Sequence, residues 1–179
     1  MTYFRKLAVA VAAASAVLAG GLSALPAAAA PAAAPAAANR CAQKVTWKNT
    51  RTGLYLDAKG GGGKHTPVVT WYRNGGSNQK WCLERVAGSQ YNEWYFHPSY
   101  NTRLCMDVPG GNYYTGAKVV LWTCNGRQNQ RFEITHTSGS SFFSPDGDPV
   151  KGYYNLGAGG AGQSVTLVPS GSSRTTMWR

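Results

Sequence analysis

The chain repeats itself with a period of about 50 residues, and this limits its possible folds more than any other feature. VVTWYRNGGSNQKW (residues 68–81) aligns without a gap on VVLWTCNGRQNQRF (residues 119–132). Both blocks hold Val-Val, Trp, Asn-Gly and Asn-Gln at identical offsets, and an aromatic residue closes each. Upstream lie the matching pieces GLYLDA, with Asp57, and RLCMDV, with Asp107. A third, degraded copy reads KGYYNLG and SVTLVPSGSSRTTMW. It places Asn155 where the aspartates stand and Trp178 at the closing aromatic position. The repeats divide as about 41–88, 89–134 and 135–179.

Each copy has the character of β-structure. Runs such as LYLD, VVTW, EWYFH, VVLW and RFEI are rich in β-branched and aromatic residues, and clusters of Gly, Asn, Ser and Pro separate them. No apolar run at helical spacing lasts a helix's length after residue 40. Three copies of about four short strands each predict an all-β, closed, threefold barrel. Closure leaves no strand edge exposed.

The first 39 residues stand apart. Arg5 and Lys6 precede an Ala/Val-rich run too short to span a bilayer, and small-residue Ala-x-Ala options follow near Ala28–Ala30. Residues 1–30 therefore read as an export signal, 31–39 as a Pro/Ala spacer, and 40–179 as one domain. A secreted, extracellular protein with no membrane span is expected. The chain carries 18 basic and 7 acidic residues, a net charge of +11. Its basic residues are scattered and no nucleic-acid motif accompanies them, so a generally basic surface is expected rather than a specific nucleic-acid site. An even count of four cysteines, Cys41, Cys82, Cys105 and Cys124, reads as two disulfides in an oxidising setting. Their spacing fits no zinc pattern, so no metal or other cofactor is expected.

Gln79-Lys80-Trp81 and Gln130-Arg131-Phe132 resemble the Gln-x-aromatic repeat of ricin-B-type lectins, which also serve as carbohydrate-binding modules of secreted glycosidases. The resemblance covers essentially all of residues 41–179 and implies a β-trefoil. It is strongest in repeat two, where Cys105-Met106-Asp107-Val108, Leu121-Trp122-x-Cys124 and Asn129-Gln130-x-Phe132 follow in the family's order. The resemblance places Trp81, Phe132 and Trp178 in the core around the pseudo-threefold axis. It also implies a Cys105–Cys124 disulfide, which leaves Cys41 to pair with Cys82 and leaves repeat one without an equivalent staple.

By the same resemblance, a saccharide pocket in repeat two uses Asp107, Trp122 and Asn129, with Gln130 in support. Repeat one would use Asp57, Trp71 and Asn78, with Gln79 in support. The chemistry suits a sugar: an ionised Asp accepts from neighbouring hydroxyls, an indole packs on the ring's C–H face, and an amide both donates and accepts. Other roles compete. The aspartates could cap the glycine-rich turns that follow them, the asparagines could be turn residues, and the tryptophans could be core. Val69 and Val120 stand where many family members carry a polar Gln, which removes one polar contact from each pocket. Asn155, Val168, Thr175 and Thr176 fall at the four site positions of repeat three, so no site of this type is expected there.

No catalytic signature is visible, and the two aspartates are repeat equivalents, so no enzyme is expected. A monomer that binds a saccharide or polysaccharide fits best. A protein-binding role on the same fold, as a toxin-targeting subunit or protease inhibitor, is an alternative. Another is charge-driven adhesion to anionic cell-wall polymers.

Overall fold

The apolar, β-branched runs noted above become strands, and the Gly- and Asn-rich clusters become the turns between them. The computed structural model describes residues 41, 44–171 and 176–179. The export signal and spacer lie outside the described residues. Repeat one contributes β1 (Lys44–Val45), β2 (Tyr55–Ala58), β3 (Val68–Trp71) and β4 (Trp81–Arg85). Repeat two contributes β5 (Glu93–Pro98), β6 (Leu104–Asp107), β7 (Val120–Thr123) and β8 (Phe132–Thr137). Repeat three contributes β9 (Ser140–Pro145), β10 (Tyr154–Gly157) and β11 (Thr166–Pro169), then a terminal segment around Trp178.

The strands β1, β4, β5, β8 and β9 form one antiparallel sheet in that order. Trp178 closes it by bridging Ser141 on β9 and Asn49 beyond β1. The pairs Lys48 N–Arg179 O (2.8 Å) and Arg179 N–Lys48 O (2.9 Å) complete the barrel wall. The hairpins β2–β3, β6–β7 and β10–β11 cap one end. They meet in a ring of three backbone hydrogen bonds: Val68 N to Val119 O (3.0 Å), Val119 N to Val165 O (3.0 Å), and Val165 N to Val68 O (2.8 Å). The three valines are fully buried. This is the β-trefoil the sequence implied.

The core draws equivalent residues from all three repeats. Trp81, Phe132 and Trp178 are fully buried. Phe96 and Phe143, which the sequence did not single out, join Phe132 to Trp178 through ring contacts of 5.1–5.9 Å. Both disulfides form as expected, Cys41–Cys82 and Cys105–Cys124.

One expectation is corrected. Trp81 Nε1 donates to the Leu56 carbonyl at 3.1 Å, and Trp178 Nε1 donates to the Leu156 carbonyl at 3.1 Å. That shared bond makes Leu156 the counterpart of Leu56 and puts Gly157, not Asn155, at the aspartate position. Asp57 pairs with Val69, Asp107 with Val120 and Gly157 with Thr166, which confirms the register. Asn155 instead lies buried two places earlier, where its Oδ1 accepts from the Ser144 hydroxyl at 2.7 Å. Val168 does hold the place of Trp71 and Trp122. Thr176 is buried, and Thr175 lies outside the described residues.

Candidate functional site

Two clefts form beside the hairpins of repeats one and two, built on one plan. Each aspartate lies at the end of the first strand of its hairpin, Asp57 one place before the last residue of β2 and Asp107 the last of β6, and a short 3₁₀ turn follows, Lys59–Gly61 or Pro109–Gly111. Gly60 and Gly110 take φ of 66° and 65° there, a left-handed conformation that glycine adopts without side-chain strain. Neither aspartate caps its turn, since the N-cap positions are held by Ala58 and Val108. The carboxylates are held from the other side by a second pair of 3₁₀ turns, Ser77–Gln79 and Gln128–Gln130.

In repeat two, Asp107 Oδ2 accepts from Asn129 Nδ2 at 2.9 Å and Gln130 Nε2 at 2.8 Å. Gln130 is fully buried; its Nε2 also donates to Thr123 O (3.0 Å), and its Oε1 accepts from Asn125 N (2.8 Å). Repeat one copies the network. Asp57 Oδ2 accepts from Asn78 Nδ2 (2.8 Å) and Gln79 Nε2 (2.9 Å). Gln79 donates to Tyr72 O (2.8 Å) and accepts from Asn74 N (3.0 Å). Both glutamines are thus clamped on two further sides and fix the carboxylate's orientation.

Each aspartate retains a second oxygen that takes no protein hydrogen bond. Among the described residues, Trp47 Nε1 is the one fully buried side-chain polar atom without a partner, so these oxygens reach solvent. Asp107 and Asp57 both line their clefts. The repeat-two cleft measures about 710 Å³ and includes Trp122, Asn129, Tyr113 and Arg127 on its walls. The repeat-one cleft, about 290 Å³, is bounded by Trp71, Asn78, Val69 and Gly162 among others. The tryptophans are not core: Trp71 is 43% exposed and Trp122 half-buried. Val69 and Val120 face the aspartates across their hairpins, as expected from the register.

Burial raises the Asp107 carboxyl above the usual aspartate range, against the opposing pull of the Gln130 and Asn129 amides. Tyr113 is pushed up to about 12 by burial first and then by the negative charges of Asp146, Asp107 and Asp148. It remains a neutral donor at any ordinary pH. Its hydroxyl lies so close to Gly147, in the loop after β9, that a Cβ there would fall 2.1 Å away. Repeat three therefore supplies part of the repeat-two wall.

The structure gathers the eight sequence-predicted residues into two sets of four, Asp57, Trp71, Asn78 and Gln79, and Asp107, Trp122, Asn129 and Gln130, while the inter-repeat wall was not legible because Gly147 belongs to no shared motif. Sequence reasoning also passed over the role of Asn74 and Asn125, whose backbone amides hold the glutamines. The Asn-Gly dipeptide repeated in both blocks was the available signal. His97, Cys105 and Cys124 offer atoms within 4.8 Å of one another, yet both sulfurs are locked in a disulfide and supply no thiolate to a metal.

A β-trefoil with an Asp, Trp, Asn and Gln set at two of three equivalent places defines a lectin-type domain. The family model of the ricin-type beta-trefoil lectin domain matches residues 43–148, and the chain belongs to that family. The match ends before the β10–β11 hairpin, where the site residues have been lost. No curated protein is similar to the chain in sequence. Among solved structures, the designed 3-fold symmetric protein ThreeFoil is 18% identical with a TM-score of 0.67, covering 76% of this chain and 96% of that one. The Macrolepiota procera ricin B-like lectin, in complex with lactose, is 17% identical with a TM-score of 0.61 over 76% and 92%. The exo-β-1,3-galactanase 1,3Gal43A of Clostridium thermocellum is 19% identical with a TM-score of 0.67 over 77% and 30%. The chain thus spans under a third of the galactanase and nearly all of the lectin. At these identities the likeness is one of fold.

Proposed function

We propose that this protein is a secreted, non-catalytic lectin that binds a saccharide through Asp107, Trp122 and Asn129 in repeat two and Asp57, Trp71 and Asn78 in repeat one. One observation carries the proposal: in each cleft a carboxylate is fixed by paired Asn and Gln amides and still keeps one oxygen free of protein hydrogen bonds, with a tryptophan on the same cleft wall. A carboxylate oriented in advance meets sugar hydroxyls without a further ordering cost. The lactose bound by the Macrolepiota lectin supports the ligand class. Two disulfides and the apolar, signal-like N-terminus support secretion.

A binding role rather than catalysis is supported by the placement of the acids. Asp57 and Asp107 line separate clefts, whereas a glycosidase needs two carboxyls on one bond. Glu93 and Asp146 share Lys151, whose Nζ lies 3.1 Å and 3.6 Å from them. Both are engaged with the Lys151 ammonium in an ion cluster that also includes Glu133.

The test is retention of the protein on insoluble polysaccharides and a glycan array at low and high salt, beside Asp57→Ala/Asp107→Ala. Salt-resistant binding that disappears in the double variant is the expected result. Retention that vanishes with salt and ignores both substitutions would instead identify an adhesin driven by the excess of basic over acidic residues.

A further inference from the structure

His65 has the one positive φ (71°) of any non-glycine among the described residues. The pseudo-threefold shows what this position is. His65 N donates to Leu121 O at 2.8 Å, Gly116 N to Leu167 O at 2.8 Å and Gly162 N to Thr70 O at 2.8 Å. Residues 65, 116 and 162 are therefore equivalent, and each loop reaches into the hairpin of the next repeat around the axis. Two of the three are glycines with φ of 90° and 76°. A side chain in the left-handed region is strained, and such strain persists where surrounding contacts hold it.

The three loops back three different platforms. Gly162 lies against Trp71, so that a Cβ there would approach the indole to 3.0 Å. Gly116 faces open space beside the siteless repeat three. The His65 ring instead packs against Trp122, with centroids 4.4 Å apart and planes at 80°. Lys64 Nζ lies 3.8 Å from the centroid of the same indole, a cation–π distance. Neither Lys64 nor His65 lines the cleft that Trp122 lines.

We propose that Lys64 and His65 of repeat one are positioning residues for the repeat-two pocket: from outside the cleft they clamp the Trp122 indole and hold it in place beside Asp107. Repeat one thereby supplies part of the affinity of repeat two. Replacing His65 with glycine relieves the backbone strain but releases the ring. Binding then falls while thermal stability holds, a separation that a purely structural residue would not show.

The affinity arm rests on the saccharide reading; a second arm needs no ligand. In the full chain carrying Asp57→Ala to silence repeat one, lactose is titrated against the parent and against Lys64→Ala/His65→Gly. The Trp122 indole N–H resonance is followed by NMR in both without sugar. We expect roughly three- to tenfold weaker binding, the scale of ordering one side chain, together with a shifted or broadened indole signal and an unchanged Tm. Lys64→Arg/His65→Asn should restore both, since Asn tolerates left-handed backbone. An indole signal unchanged in position and width overturns the clamp, and so does a changed signal with unchanged lactose affinity. If the parent does not bind lactose, the failure lies with the saccharide reading for that sugar, and the indole signal alone decides the clamp.

Discussion

Asp107 sits under opposed demands. Ligation needs its carboxylate ionised, while burial favours the neutral acid and lifts its titration above the ordinary range. The two consequences have opposite signs. Below the raised folded value the carboxylate is lost, so saccharide binding at repeat two should weaken as pH falls through that value. Stability runs the other way. Between the unfolded value of about 3.9 and the raised folded one, the native state holds the extra proton and gains stability as pH falls. Asp107→Asn keeps an oxygen to accept from Asn129 and Gln130. It should abolish binding at this pocket while removing that stretch of pH-dependent stability. Titrations and thermal melts over the same acidic pH series check both. Gly147 gives a second residue-scale expectation. Gly147→Ala places a methyl against the Tyr113 hydroxyl, so Tyr113 must shift. Affinity at repeat two should drop, with the Asp57 pocket unaffected when assayed in an Asp107→Ala background.

At the scale of elements, the Cys105–Cys124 bond ties β6 to the end of β7, across a separation of 19 residues. Its sulfurs pack at 3.4–3.5 Å from the buried His97 ring, whose Nδ1 also meets Leu104 O at 2.9 Å. Cys105→Ser/Cys124→Ser should cost about 2–4 kcal/mol by loosening that loop in the unfolded chain. It should weaken the repeat-two pocket more than that of repeat one, which never had the staple; denaturant unfolding and single-pocket titrations would show it. The hairpins also mark what could be read from the chain alone. Repeats one and two were legible because each keeps its motif at full strength, and the Asp, Asn and Gln of a motif end in one hydrogen-bond network. Repeat three was misregistered by two residues at Asn155. Its register is set by the Leu156–Trp178 bond between distant segments, with no motif left to mark it. Lys64, His65, Gly147 and Gly162 were illegible for the same reason: each serves a neighbouring repeat, and local sequence patterns describe only a residue's own repeat.

For the molecule as a whole, two pockets on one closed barrel make polymer binding a question of valency. A monosaccharide contact of a few solvent-competed hydrogen bonds, each worth about 1 kcal/mol, gives weak affinity. Simultaneous engagement of both clefts along a polysaccharide multiplies it. Either Asp57→Ala or Asp107→Ala alone should halve the stoichiometry for a small sugar while lowering retention on a polymer far more than twofold; calorimetry and affinity chromatography of the same variants check this. The excess of basic over acidic residues should raise the rate of encounter with an anionic surface without replacing the pockets.

The barrel wall closes where Lys48 and Arg179 exchange two backbone hydrogen bonds. The segment just after β1 and the terminal segment around Trp178 are therefore neighbours, as much as any two strands joined by a turn. A circular permutant that links the two ends and is cut at the exposed turn around Gly88 should rebuild the same barrel. Which repeat comes first would then be a property of the gene and not of the fold.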